Sequence, residues 1–274
     1  MSEEARHVAE LEKTVSDAIG ILPAGQQVVP VLTPTLGSIS MWWHLTQIDM
    51  LYPMNVGKQP ITTLDKGGGE IAEMRNRLAA MSLLIEDQSG GKTKVPYVLW
   101  IDDDVIVDRF ALCCLASHDR DIVSGVYFAK GDYSEPLIFP GPSSGTLEFL
   151  PDEVFEAWGW SQGLSLISTQ VYRRMRDELD LGVDKYGQPN WYKRPEFQMT
   201  PTGIINGGTE DFHFFDNACK LGYKPLIDCR RAAFGFHYDL RKGIGYPFPQ
   251  WEQYSRREPI VWPATSKRKE VVWS

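Results

Sequence analysis

Residues Tyr97–Val107 read Tyr-Val-Leu-Trp-Ile-Asp-Asp-Asp-Val-Ile-Val. The first five are rich in strand formers and do not alternate polar with apolar, the pattern of a strand buried on both faces. Asp102, Asp103 and Asp104 follow at its C-terminal end, which is where ligands bind in open α/β sheets. Three adjacent carboxylates repel one another, and a divalent cation relieves the repulsion. On an extended backbone Asp102 and Asp104 point one way and Asp103 the other. The pair therefore offers two oxygens to one ion, or one to the ion and one to a ligand beside it. Such oxygen donors suit Mg2+ or Mn2+. Taken alone, the triplet also reads as a solvated acidic turn.

The rest of the composition bounds the answer. With 274 residues, 43% hydrophobic and 12% aromatic, the chain can bury a substantial core and is not a disordered polymer. A formal net charge of -8 disfavours extended, non-specific DNA binding, which depends on neutralising phosphates. The four cysteines (Cys113, Cys114, Cys219 and Cys229) contain no Cys-x-x-Cys pair, so they suggest core fillers in a reducing compartment. The first residues lack a basic stretch followed by an apolar one. No apolar run approaches the roughly 20 residues of a membrane span. A soluble, cytoplasmic protein is the expectation.

Outward from the central strand, the pattern predicts one domain in three parts: an amphipathic helix within residues 1–24, a core over 25–240 and an extension over 241–274. Val28–Thr33 reads as the first strand, running into Thr33-Pro34-Thr35, and residues 38–51 as a helix. Strand, hydroxyl-bearing turn and helix together make the first half of a nucleotide-binding unit. Pro60–Leu64 reads as a short strand. Glu70–Glu86 reads as a helix with Ile71, Met74, Leu78, Met81, Leu84 and Ile85 on one face. Its Arg75 and Asn76 face either solvent or a phosphate or base. After the aspartates come a helix over 110–117 and a strand over 121–128, then loops and a hairpin over 129–152. Trp158-Gly159-Trp160-Ser161-Gln162-Gly163 precedes a strand; glycines beside indoles allow close backbone approach to a ligand, and core packing explains them equally well. A helix over 171–179 follows. The aromatic, Pro-rich residues 182–207 read as an ordered lid. Thr209 reads as the N-cap of a helix opened by Glu210 and Asp211. Leu226–Asp228 is a last core strand and His237 follows it.

Four of these features, in this order, resemble glycosyltransferases of the GT-A fold: the strand into Thr33-Pro34-Thr35, the strand into Asp102-Asp103-Asp104, Gly163 with its strand, and Glu210-Asp211 opening a helix before His237. The resemblance covers roughly residues 27–240. The Arg75-Asn76 helix ahead of Asp-x-Asp is especially similar to small bacteriophage-type members, for which the host cytoplasm is the compartment. The resemblance implies a Rossmann-like three-layer α/β sandwich with a mostly parallel central sheet. It implies a nucleotide-sugar donor, UDP-linked, held with Mn2+ or Mg2+. Asp104, Asp102 and His237 would be the metal ligands. Thr33, Thr35, Arg75, Asn76, Asp102 and Asp103 would face the nucleotide. Asp211, or else Glu210, would be the general base of an inverting reaction, or would position the acceptor or stabilise the sugar cation of a retaining one. Trp158, Trp160, Gln162 and Gly163 would shape the acceptor side. The acceptor is a glycan, a protein or a modified nucleobase.

Two other readings compete. A sugar nucleotidyltransferase needs a Gly-rich phosphate loop with a basic residue after the first strand, and Thr33-Pro-Thr-Leu-Gly supplies none. A non-catalytic carbohydrate- or nucleotide-binding protein of the same fold does not need Asp104, Asp211 and His237 together.

Overall fold

The computed structural model describes residues 29–35, 63–66, 70–126, 128–130, 136–139, 147–149, 152–194, 198–200, 203–205, 209–239, 244–246 and 260–262. The expected helices within residues 1–24 and over 38–51 lie outside them.

The central sheet has seven strands. They are β1 (Val31–Pro34), β2 (Thr63–Lys66), β3 (Tyr97–Ile101), β5 (Ile122–Gly125), β8 (Val154–Glu156), β10 (Leu164–Ser168) and β13 (Leu226–Asp228), in the order β2-β1-β3-β10-β5-β13-β8. β1 is parallel to β2 and β3, and β13 is parallel to β5. β10 runs antiparallel between β3 and β5, and β8 antiparallel to β13. The protein is thus mixed α/β, with a sheet that is mostly parallel but reversed at its centre. Every residue of β10 is buried and its neighbours occupy both edges, which explains why Leu-Ser-Leu-Ile-Ser has no exposed polar face.

Alternate side chains of β3 feed two separate cores. Val98 and Trp100 pack with α1 (Ile71–Gln88), α3 (Thr169–Glu178) and α4 (Glu210–Lys220). Leu99 and Ile101 pack with α2 (Ala111–Ala116) and the 3-10 turn Arg231–Ala233. Cys113 and Cys114 fill the second core, and burial pushes their thiols up to about 11 and about 12. Gly125 permits close packing there: a Cβ would sit 2.1 Å from the Ala233 carbonyl oxygen.

Four smaller sheets accompany the central one among the described residues. β4 (Val105–Val107), β14 (Gly235–Asp239) and β15 (Ile244–Tyr246) form one, which carries part of the 241–274 extension into the fold. Residues 129–152 do not form their own hairpin among the described residues. Instead β6 (Ile138–Phe139) pairs with β9 (Gly159–Trp160), and β7 (Leu147–Phe149) with β16 (Ile260–Trp262). β11 (Gln198–Thr200) and β12 (Gly203–Ile205) form an antiparallel pair.

Two expectations need correction. On α1, Ile71, Met81 and Leu84 are largely exposed, while Ala72, Arg75, Asn76, Ala79, Ser82 and Leu83 are buried. The helix is rotated because Arg75 and Asn76 turn inward to satisfy buried acceptors, a requirement that outweighs the apolar count. In the 182–207 segment, Trp191 and Tyr192 are fully buried members of the first core and not part of a lid. Trp191 Nε1 donates to the Tyr172 carbonyl at 2.9 Å.

Candidate active site

The C-terminal end of β3 delivers the aspartates. The Asp102 amide donates to the Gly163 carbonyl at 3.1 Å, so the start of antiparallel β10 lies beside the end of β3. The Val105 amide donates back to the Asp102 carbonyl at 3.1 Å and closes the turn into β4. Thr33 follows the paired Leu32 and Trp100, so both Thr33 and Thr35 reach the same end of the sheet. Both are buried, and Thr33 Oγ1 has no hydrogen-bond partner among the described residues.

Arg75 is 2% exposed and holds a ring of acids together. Its Nη2 donates to Asp102 Oδ1 at 3.0 Å and its Nε to Glu210 Oε1 at 3.3 Å; Asp211 Oδ1 lies 3.6 Å from Nε. The guanidinium sits over the Trp100 and Tyr192 rings, 5.2 and 5.8 Å from their centroids. One buried cation therefore serves three carboxylates. Burial pushes the Asp102 carboxyl up, and Asp104 adds to this while Arg75 opposes it. Asp211 is pushed up to about 7 by burial and then by Glu210, against the pull of Arg75. Its Oδ2 accepts from Ser161 Oγ at 3.1 Å and from the Gln162 amide at 3.3 Å, while Oδ1 is buried without a hydrogen-bond donor among the described residues. Thr209 occupies the N-cap position of α4 with extended backbone, without the side-chain capping bond expected of it.

Asp104 belongs to a second group. Its Oδ1 lies 3.2 Å from His237 Nε2, and its Oδ2 pairs with Lys130 Nζ. Burial works to raise the Asp104 carboxyl, but His237 and Lys130 outweigh it and hold it below the usual range. Pairing of His237 with Val105 in the β4–β14 ladder places the imidazole beside Asp104. His237 Nδ1 lies 3.0 Å from the Phe128 carbonyl. A carbonyl only accepts, so Nδ1–H donates and Nε2 is left facing the carboxylate.

Whether a divalent cation fits here turns on these donors. Among the described residues no group of three His, Cys, Asp or Glu side chains forms a metal site on its own. The expected trio is only partly assembled: Asp104 and His237 meet, while Asp102 is turned to Arg75. Two ligands in adjacent positions of a coordination sphere sit about 3 Å apart. The 3.2 Å separation of Asp104 Oδ1 and His237 Nε2 matches that. The Phe128 carbonyl supplies the outer hydrogen bond that orients a ligating histidine. The pair fits a cation whose remaining positions are filled by phosphate oxygens and water, as is common for Mg2+.

The other expected residues fall into place as follows. Asn76 exchanges two hydrogen bonds with the Tyr192 backbone, at 2.9 and 2.8 Å, so its amide ties α1 to the 182–194 segment. Trp160 is a core residue, packed on Phe215 with ring centroids 4.0 Å apart and donating to Ser165 Oγ at 2.6 Å. Gly159 is required beside it, since a Cβ would meet Phe215 at 2.8 Å. Trp158 is half-buried and stacked over Phe212 at 5.8 Å. Asp103 is half-buried in the turn after β3.

Sequence reasoning missed a directed relay. Trp100 Nε1 donates to Tyr172 Oη at 2.7 Å, Tyr172 and Tyr192 hydroxyls meet at 2.8 Å, and Tyr192 Oη donates to Gln162 Oε1 at 2.7 Å. Tyr192 spends its single hydroxyl proton on Gln162 Oε1, so Tyr172 is the donor to Tyr192. Gln162 Nε2 is buried with no hydrogen-bond partner among the described residues. Lys130 was also missed, because a lone lysine in a Gly-containing loop carries no periodic or motif signal.

No protein-family model matches the chain, and no curated protein matches it. Among solved structures it is similar to a glycosyltransferase involved in the glycosylation of the major capsid of PBCV-1. The TM-score is 0.30 and the identity 10%, over 60% of this chain and 72% of that one.

Proposed function

We propose that this chain is a metal-dependent glycosyltransferase of GT-A type. It would transfer a sugar from a UDP-linked nucleotide donor to a hydroxyl of a glycan, a protein or a modified DNA base. One observation carries the reading: the Asp104–His237 pair and a buried acid raised to about 7, Asp211, stand at the same end of one sheet, connected through Asp102 and Arg75. A divalent cation bound there supplies charge stabilisation for the departing diphosphate. Asp104 and His237 would hold that cation, with Asp102 oriented beside it by Arg75. Thr33 and Thr35, at the same end of the sheet, would face the base or ribose. Asp211 would take the proton of the acceptor hydroxyl at Oδ1, the oxygen without a hydrogen-bond donor among the described residues. An acid of pKa about 7 suits that task, since it is ionised at the working pH yet still basic. Ser161 and Gln162 would hold its other oxygen still.

The test is thermal shift against UDP-, GDP-, CMP- and dTDP-sugars, with and without Mn2+. A metal-dependent rise for one nucleotide, lost in Asp104→Ala, supports the reading. No shift with any of them refutes it and favours a non-catalytic role. Metal-dependent hydrolysis of the stabilising donor would then separate a transferase from a binder.

A further inference from the structure

Asp104 has both oxygens engaged before any ligand arrives: Oδ1 by His237 Nε2 and Oδ2 by Lys130 Nζ. The two partners are held very differently. His237 is anchored by the Phe128 carbonyl and by the β4–β14 ladder. Phe128 is itself fixed, fully buried, stacked on Phe234 at 5.7 Å and bridged to Pro136. Lys130 follows two residues later on a long flexible stem, with a side chain 32% exposed. One short segment therefore orients the histidine rigidly and delivers a movable ammonium group to the same carboxylate.

A divalent cation at Asp104 and His237 needs the carboxylate that Lys130 occupies. Two positive charges that close repel strongly at an effective dielectric well below that of water. Lysine and metal therefore exclude each other on Asp104. A metal-bound diphosphate changes the balance, because it brings anionic oxygens within reach of the displaced ammonium.

We infer that Lys130 exchanges partners: it neutralises Asp104 in the free protein and moves to the donor's diphosphate once a divalent cation takes Asp104 and His237. The inference rests on the transferase reading above and adds an anion-binding residue to it. Its consequence is coupling. Metal alone must compete with Lys130, whereas metal with diphosphate gives Lys130 a new partner, so each ligand strengthens the other by the same factor.

The experiment uses the full chain and two probes, Mn2+ alone, followed by the spectroscopic signal of the free ion, and UDP in saturating Mn2+, followed by calorimetry. Lys130→Ala is expected to bind Mn2+ alone roughly three- to tenfold more tightly and UDP with Mn2+ about tenfold more weakly. Lys130→Gln, which keeps much of the stem, should reproduce both changes, and Lys130→Arg should restore the coupling. Affinities of Lys130→Ala and Lys130→Gln within twofold of the parent for both probes would overturn the inference and leave the transferase reading standing. A parent chain that binds neither probe would overturn both.

Discussion

Two buried acids, each beside an arginine, are treated in opposite ways by this fold. Asp228, at the end of β13, is fully buried and saturated. It accepts from the Arg230 amide at 2.9 Å, from Arg230 Nε at 3.0 Å and Nη2 at 2.6 Å, and lies 2.9 Å from His118 Nε2. Burial would raise its carboxyl, but His118 and Arg230 outweigh burial and hold it below the usual range. Arg230 also donates to the Cys114 carbonyl at 2.7 Å, so the cluster ties β13 to the end of α2. Asp211 is almost as buried, but its arginine is divided among three carboxylates and one of its oxygens has no donor. Its carboxyl is pushed up to about 7. Burial alone does not make an acid reactive. The difference lies in how many donors surround it, and a shortfall leaves proton affinity available for chemistry.

The comparison can be broken or sharpened by mutation. The largest effect is expected from Asp211→Asn on turnover of the donor that proves to bind, a loss of about 10²–10⁴-fold. In the parent, turnover should rise with pH through an apparent pKa of about 7, because only ionised Asp211 accepts a proton. A rate independent of pH from 5 to 8 would remove Asp211 from the proton transfer. Next, Asp228→Ala should destabilise the fold by about 2–4 kcal/mol in urea unfolding, since it strands a half-buried guanidinium. A change below about 1 kcal/mol would show that the saturated cluster is not structural.

Asp211→Asn should have the opposite effect on stability. The folded pKa of Asp211 lies above its ordinary 3.8, so the native chain binds more protons than the unfolded one between those limits. Stability contributed by this proton is fully present below about pH 4 and lost as pH rises through about 7. The variant should therefore match the parent near pH 4 and exceed it by on the order of 4 kcal/mol at pH 8. A gain that does not grow with pH would contradict the assigned cause. The smallest effect is expected from Tyr192→Phe, which interrupts the relay to Gln162 and should cost about 1–2 kcal/mol in the same unfolding measurement.

Some of this was legible in the sequence because the signals were local. An unbroken apolar run identified β3, and the aspartates marked its ligand-facing end. Glu210 and Asp211 at the start of α4 were readable for the same reason, as was the strand preceding α3. Arg75 was ambiguous, since a charged residue in an amphipathic helix is ordinarily solvated, and only partners far along the chain turn it inward. Trp191 and Tyr192 looked like a lid because Pro-rich, irregular chain usually lies on the surface. Their burial depends on Asn76, Tyr172 and Gln162, none of which is near in sequence. The reversal of β10 was equally invisible: periodicity reports burial and says nothing of direction.

That reversal has a consequence for how the chain is made. β3 and β5 never bond to each other, and each waits for β10, which the ribosome delivers later than both. A nascent chain that ends before Leu164 holds the β2-β1-β3 sheet with an open edge, and β5 without either of its partners, β10 and β13, surfaces of the kind that attract chaperones or other chains. Synthesis past Ser168 inserts the keystone strand, and the same act brings Gln162 and Gly163 beside Asp102. Joining β3 to β5 and bringing Gln162 and Gly163 beside Asp102 are therefore a single event in biogenesis, and β13, Glu210, Asp211 and His237 are added only after it.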